Sequence, residues 1–391
     1  HRPLASRGIR SHSASDPAVL AIRDDVDVTA IDAAAWNGLA GAQPLLSHAF
    51  LAALHESGCA SPATGWRPRY LTAWRGGALV GAMPLYAKAH SYGEYVFDWA
   101  WADAYRRYRR NYYPKLVCAV PFTPVTGDRL LAHDAATRSA LLDRALRAVG
   151  DDAYSSLHVL FTQAIDTACC DAAGMTARTG VQFHWSNRDY GDFDDYLAAF
   201  NHDKRKKIRQ ERRKLAEAGM TFERRCGADI RDKDWALFYQ CYENTYAQHH
   251  STPYLSREFF ARIAATMPQH LMMVIGRRDG VPICAAFDVY SSSTLSGLFW
   301  GALDYVPGMH FEACYYQAIE FCIERRIATF EGGAQGIHKL ARGLTPVTTH
   351  SAHAIGDAAF AEAIAGFCAR ERIDVAHTED ELERASPFRR Q

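Results

Sequence analysis

Glu331-Gly332-Gly333-Ala334-Gln335-Gly336-Ile337-His338-Lys339 puts a carboxylate, an imidazole and an ammonium on one short glycine-rich stretch. Glycines let backbone N–H groups approach a phosphate or an oxyanion, and a helix starting after the loop would add partial positive charge. His338 has the chemistry of a general base for an attacking amine, and Lys339 that of a counter-charge for a phosphate or developing oxyanion. Glu331, closing the apolar segment Ala328–Phe330, is the alternative base if burial raises its pKa. Gly333 and Gly336 are candidate backbone contacts to a donor's phosphate, and Gln335 a candidate substrate contact. A strand-to-helix turn with ordinary surface residues reads from the same letters.

Lys204 to Lys214 carries eight Lys or Arg against two acids, Asp203 and Glu211. Lys204, Arg205, Lys206 and Arg209 could engage several phosphates, of tRNA, coenzyme A or a nucleotide-linked precursor. Ile208 and Leu215, seven apart, would hold the other face on a core. A solvated helix face has the same composition.

Tyr92, Glu94, Asp98, Trp99, Trp101 and Asp103 form a block with Tyr95 and Phe97. Read as an extended strand, alternation puts Asp98 opposite Phe97 and Trp99, and places Trp99, Trp101 and Asp103 on one side. Acids beside rings suit an amine or sugar-peptide acceptor, the carboxylate holding an ammonium while rings stack on sugar or apolar faces. Aromatic packing with acids at its rim is the plain alternative, and it explains Glu94 and Asp98 least. Arg106, Arg107, Arg109 and Arg110 follow directly, and fit anion binding and a solvated loop alike.

Glu312 stands where a helix should start, a position at which a carboxylate caps as readily as it binds substrate. His310 with Cys314 is a conceivable dyad, although nothing nearby in sequence lowers the thiol pKa. His184, Trp300 and His310 complete the substrate-binding candidates. His249 and His250 are adjacent and do not share a helix face, and no metal site is indicated.

The elements that must position these groups repeat. Periodicity predicts two helices between Ile31 and Ser57, the second N-capped by Ser47, then a hairpin of residues 69–74 and 79–86 around Arg75-Gly-Gly-Ala78. A strand (112–120), a proline-punctuated loop (121–127), a helix (135–149) and a buried strand (156–161) follow. The second half predicts helices at 192–200, 204–218, 234–250 and 256–267, then a hairpin of 271–276 and 281–290 around Arg277-Arg-Asp-Gly280. It continues with a strand (294–301), a helix (312–325) and a strand (328–331) entering the glycine-rich loop. Both halves read helix, helix, hairpin, strand, helix, strand, an internal duplication of about 150 to 170 residues each. The fold expected is α/β (α+β), with two tandem lobes at 21–180 and 181–375, an N-terminal disordered extension at 1–20 and a C-terminal tail at 376–391.

At 391 residues, 48% hydrophobic and 23% charged, the chain has ample core and is not compositionally disordered. Its formal net charge of zero leaves anion attraction to local basic runs. No run of eighteen apolar residues suggests a membrane span. Ten scattered cysteines without a C-x-x-C pair point to free thiols in a reducing, cytoplasmic setting. Arg2, Arg7 and Arg10, with no acid before Asp16, would also suit an organelle-targeting extension.

The order of elements in the second half resembles the GNAT superfamily, and more narrowly the Fem-type peptidyltransferases with tandem GNAT-like lobes. The run Asp203 to Gly219 looks like the basic helix that opens their second lobe. Ser47–Gly58, Ser91–Tyr105, Tyr112–Leu116, Pro121–Gly127, Ser156–Phe161, Gly180–Trp185, His310–Arg326 and Phe330–Gly343 resemble the GNAT-superfamily family of peptidoglycan biosynthesis or recognition proteins. The resemblance implies two lobes, each a mixed, mostly antiparallel sheet flanked by helices. It also implies transfer of an acyl or aminoacyl group to an amine, such as that of a peptidoglycan-precursor-like molecule or an amino acid. It implies no tightly bound cofactor, acyl-CoA or aminoacyl-tRNA as donor cosubstrate, tRNA among the partners, and no covalent enzyme intermediate. The chain departs from the family at Ile337, where Glu is expected. The usual acetyl-CoA loop follows no candidate strand, which favours aminoacyl-tRNA or a remodelled acyl-CoA site. Two other readings stand beside this one: a non-catalytic module for muropeptide or another amine-bearing ligand, and a cysteine-dependent hydrolase.

Overall fold

Pro84 cuts the apolar run from Ala78 to Lys88 in two, and the strands on either side of it join different sheets. Proline lacks the N–H that a continuous ladder needs. The computed structural model describes residues 19–150, 153–334 and 336–389. Gln335, Arg2, Arg7 and Arg10 lie outside the described residues, as does most of the expected N-terminal extension.

The first half contains β1 (Ala21–Val26), α1 (Ala33–Ala40), α2 (His48–Glu56), β2 (Trp66–Pro68), β3 (Tyr70–Arg75), β4 (Ala78–Met83) and β5 (Leu85–Lys88). It continues with α3 (Trp99–Arg107), β6 (Lys115–Cys118), β7 (Leu131–Ala132), α4 (Ala135–Gly150), β8 (Ser156–Leu160) and α5 (Ala164–Ala172). The second half contains β9 (Thr176–Ser186), α6 (Phe193–Ala198), α7 (His202–Glu217), β10 (Met220–Cys226), α8 (Asp232–Gln248), α9 (Arg257–Thr266), β11 (Leu271–Arg278) and β12 (Val281–Tyr290). β13 (Thr294–Ala302), α10 (Met309–Phe311), α11 (Gln317–Arg325), β14 (Thr329–Glu331), β15 (Thr345–Ile355) and α12 (Ala358–Arg384) complete it. A π-turn, Glu312–Tyr316, joins α10 to α11.

Among the described residues, a small sheet has the order β1-β3-β4-β7, and an eleven-stranded sheet runs β10-β11-β12-β13-β14-β9-β15-β8-β6-β5-β2. Neighbours are antiparallel except β13 with β14 and β6 with β8, so each half holds one parallel pair. The sheet does not stop at the boundary expected after residue 180, which falls inside β9. β9 pairs along β15, and β15 pairs in turn with β8 of the first half. The expected tail from 376 is helical to Arg384, because α12 runs on without a break. One apolar core also spans both halves, with Phe50 of α2 meeting Phe259 of α9 edge-on at 5.5 Å. No helix among the described residues is long and apolar enough to cross a membrane.

Two local expectations are corrected. The aromatic block is helical from Trp99, not extended. Trp101 and Tyr105, four apart, share its buried face, which is a helical spacing, and Ala100, Ala102 and Ala104 are strong helix formers. Tyr95, at φ 62°, ends any extended run before it. The glycine-rich loop leads only into a 3-10 turn, Ile337–Arg342, bounded by Gly336 and Gly343 at positive φ, so no α-helix N-terminus faces the loop.

Candidate active site at the strand fork

β13 and β14 run parallel for only three residues, Thr294 to Ser296 against Thr329 to Glu331. β13 then continues to Ala302, still paired with β12, while the chain leaves β14 at Gly332. Past Ser296, no strand among the described residues covers that edge of β13. Glu331 is therefore the last residue before a fork, with Ser296 beside it on β13 and His184 beside it on β9.

Residues directly paired across strands share a face, so His184, Glu331 and Ser296 form one row. That row lines a cavity of about 380 Å³ between the halves, to which the first half contributes Gln43, Arg129 and Gln163. Glu331 Oε2 is shut off from solvent without a hydrogen-bond partner, and burial pushes the carboxyl up to about 7. His184 cannot compensate it. Burial first, and the Lys339 ammonium second, hold that imidazole down to about 4, and its Nε2 faces Gln182 Oε1 at 3.2 Å. Gln182 in turn donates to the Pro124 carbonyl at 2.7 Å, tying the row to the first half. Arg129, the cation among the lining residues, is turned onto the backbone carbonyls of Leu160, Asp128 and Val125. A carboxyl near neutrality, with no cation to stabilise its charge, has the properties of a general base at physiological pH.

The glycine-rich loop that follows Glu331 carries the remaining candidates, although neither His338 nor Lys339 is among the residues lining the Glu331 cavity. Lys339 is buried, its Nζ donates to the Gly333 carbonyl at 3.1 Å, and burial lowers its pKa to about 8. Gly336 sits at φ 125°, and a Cβ there would lie 2.4 Å from the His338 ring, so the turn that aims His338 requires glycine. His338 shares a hydrogen bond with the Tyr315 hydroxyl at 3.1 Å, and its pKa is lowered by partial burial and by the Lys339 and Arg342 charges. His310 packs edge-on to Trp300 at 5.1 Å and lies 6.2 Å from the His338 ring. Burial depresses His310 to about 4. Ile337, the departure from the family pattern, is 70% exposed and points away from these groups.

On the opposite face of the sheet, Asp288 sits at a register slip in β12, fully buried with Oδ2 unpartnered, and burial pushes it well above the carboxylate range. It adjoins Phe330 around Gly297, and beyond it lies Cys314 in the π-turn, a feature that recurs at functional sites. Burial drives the Cys314 thiol far up, the reverse of what a nucleophilic cysteine needs. Sequence reasoning missed Asp288, although a lone acid in the apolar run Ile283–Val289 was a legible signal.

Other sequence candidates fall elsewhere. Glu312 lies within the π-turn, not at a helix start. Arg212 binds both its oxygens, at 3.0 and 2.7 Å, and Gln317 donates at 2.8 Å, which makes it a clamp onto α7 instead of a cap or ligand. Ile208 and Leu215 anchor α7 as expected. Arg209 pairs with Asp194 at 3.2 Å, and among the described residues no carboxylate lies within 4 Å of Lys204, Arg205 or Lys206. None of these four lines the Glu331 cavity.

The aromatic and acidic block is also separate from it. Glu94 and Asp98 are buried around the Lys115 ammonium, which donates to Glu94 Oε2 at 2.7 Å and to Asp98. Lys88 lies 3.7 Å from Glu94. Burial alone would raise Asp98, but Lys115 overrides it and holds the carboxyl down to about 2. Trp101 is buried against His158 and His353, Tyr92 and Trp99 pack at 4.9 Å on the surface, and Asp103 pairs with Arg106 and Arg107.

A mixed, mostly antiparallel sheet to which both halves contribute, with one parallel pair from each half and helices on its flanks, makes this a tandem GNAT-fold protein. FemX shares the fold at low identity, and other solved structures align more loosely. FemX aligns at TM-score 0.53 and 12% identity over 83% of this chain and 96% of its own. A tandem GNAT protein from the clavulanic acid biosynthesis pathway aligns at 0.45 and 13% identity over 87% and 99%, and L-PGS from Bacillus licheniformis at 0.48 and 12% over 80% and 92%. The sequence matches the FemAB-like family of peptidoglycan biosynthesis/recognition proteins over residues 27–390, and the chain belongs to that family. No curated protein matches it.

Proposed function

We propose that the chain is an N-acyltransferase that moves an acyl or aminoacyl group onto an amine held in the cavity at Glu331. The observation that carries this reading is the half-buried Glu331 at the fork, its Oε2 shut off from solvent without a partner and its carboxyl raised to about 7. An amine entering as an ammonium would give up a proton to Glu331 and attack the donor's ester or thioester carbonyl. The donor would approach along the open edge of β13. In this reading Lys339 and the backbone N–H groups of the glycine-rich loop would receive the developing oxyanion. That proton then passes from Glu331 to the departing alcohol or thiol, the nitrogen sheds its second proton to solvent through the freed carboxylate as the amide forms, and no covalent enzyme intermediate forms. Membership of the FemAB-like family supports this chemistry and a peptidoglycan-precursor-like amine as acceptor.

For the donor, we infer acyl-CoA or aminoacyl-tRNA, its phosphates on Lys204, Arg205, Lys206 and Arg209. The muropeptide-binding alternative drew on Glu94 and Asp98 as ammonium ligands, and Lys115 already occupies both. The test is transfer from labelled acyl-CoA and from aminoacyl-tRNA to amine acceptors, including muropeptides, by the full chain. Glu331→Gln should lose roughly 10²–10⁴-fold in kcat, the usual worth of a general base. Full activity in that variant would remove Glu331 from the chemistry.

A further inference from the structure

The second basic run, Arg106 to Arg110, plays no part in that reading. After α3 the chain turns at Arg109, φ 55°, and returns through Asn111 to Tyr113 beside the exposed side of the helix. The turn leaves a shallow groove of about 770 Å³, lined by Trp99, Asp103, Arg106, Arg109, Arg110 and Tyr113. A second hollow of about 560 Å³ continues past Arg109, Arg110 and Tyr113 towards Tyr154. Neither shares a lining residue with the Glu331 cavity.

Charge along the groove is only partly balanced. Arg106 and Arg107 share one acid, Asp103, and Arg110 reaches Asp357 at 3.6 Å. Among the described residues no carboxylate lies within 4 Å of Arg109, which stands on the rim common to both hollows. A left-handed backbone is unfavourable for arginine, and here it presents an unpaired guanidinium to open space. At one end Trp99 is 41% exposed, with the Tyr92 ring packed against it at 4.9 Å. Arginine forks match phosphate oxygens in pairs, and an exposed indole offers a face on which a planar ring stacks.

We propose that this groove binds a phosphorylated ligand carrying a planar ring, of the nucleoside diphosphate class. The phosphates lie on Arg106, Arg109 and Arg110, and the ring lies on Trp99. The groove is of ordinary size for such a ligand, within the usual range of about 300–1,000 Å³. The site is separate from the acyl-transfer reading and stands or falls without it.

The test is calorimetric titration of the full chain with ADP, UDP, inorganic pyrophosphate and vesicles containing anionic phospholipid. Four variants are compared: Arg109→Gly, Arg110→Ala, Trp99→Ala and the triple Lys204→Ala/Arg205→Ala/Lys206→Ala. A saturable nucleoside diphosphate site should weaken at least tenfold in Arg109→Gly and in Arg110→Ala. Arg109→Gly should keep or raise the melting temperature, because glycine relieves the left-handed turn. Trp99→Ala should weaken the nucleotides but not pyrophosphate, and the triple variant should retain the saturable UDP site that Arg109→Gly weakens. Absence of saturable binding, binding unchanged by Arg109→Gly, loss only in the triple variant, or binding to vesicles alone would each overturn the proposal.

Discussion

Glu94 and Asp98 in the first half and Glu331 in the second each have a carboxylate oxygen withdrawn from water, yet their surroundings differ in one respect. Lys115 donates to both acids of the first group, with Lys88 close to Glu94. Glu331 has an imidazole held neutral on one side, a serine on the other and, among the described residues, no cation within 4 Å. Asp98 accordingly falls to about 2, while burial still holds Glu94 above its ordinary value against the pull of Lys115 and Lys88, and Glu331, with no such pull, rises to about 7. A buried acid that has found its counter-ion is spent on structure, and one left without a counter-ion is available to hold and release a proton.

The comparison can be broken most forcefully from the first half. Lys115→Met strands two buried acids and should cost about 3–5 kcal/mol in urea unfolding. Combining it with Glu94→Gln and Asp98→Asn should recover most of that loss. A small cost for Lys115→Met alone would show that the cluster is not a closed ion-pair network.

The second half predicts the opposite sign. Because folding raises Glu331 above its ordinary value of 4.5, the folded state binds that proton more tightly than the unfolded state. Its penalty is absent below pH 4.5, grows as pH rises, and is complete above about 7. Glu331→Gln should therefore gain roughly 2–3 kcal/mol on wild type between pH 4 and pH 8. Parallel stability curves for the two proteins would show that Glu331 has an undetected cation.

Gly336→Ala sharpens the account at the loop. It forces a side chain into a left-handed position against the His338 ring, at about 1–3 kcal/mol in thermal or urea unfolding. It should reduce transfer by displacing His338 and Lys339, while leaving the Lys115 cluster intact.

Much of the frame was legible because local pattern decides it. Both hairpin turns, the α7 anchors Ile208 and Leu215, and the Ser47 cap, which accepts from Phe50 N, are short-range features. Glu331, His338 and Lys339 were legible as types because they adjoin the glycines. The partners of the acidic block were not. Lys115 follows Glu94 by 21 residues, and nothing local links the pair. Exposed and buried aromatics mixed in one run hid α3, whose Trp101–Tyr105 spacing was the better guide. β9 and β15, which join the halves, are rich in Thr, Ala, Gly and His and lack the dense apolar signal of the strands that were found.

The central claim is that Glu331 takes the proton from the acceptor amine. The direct measurement is the pH dependence of kcat/KM for transfer, in wild type and in Glu331→Gln, with donor and acceptor held constant. An acid limb in wild type with an apparent pKa near 7, absent from the residual activity of Glu331→Gln, is the expected result. An unchanged limb in the variant would contradict it.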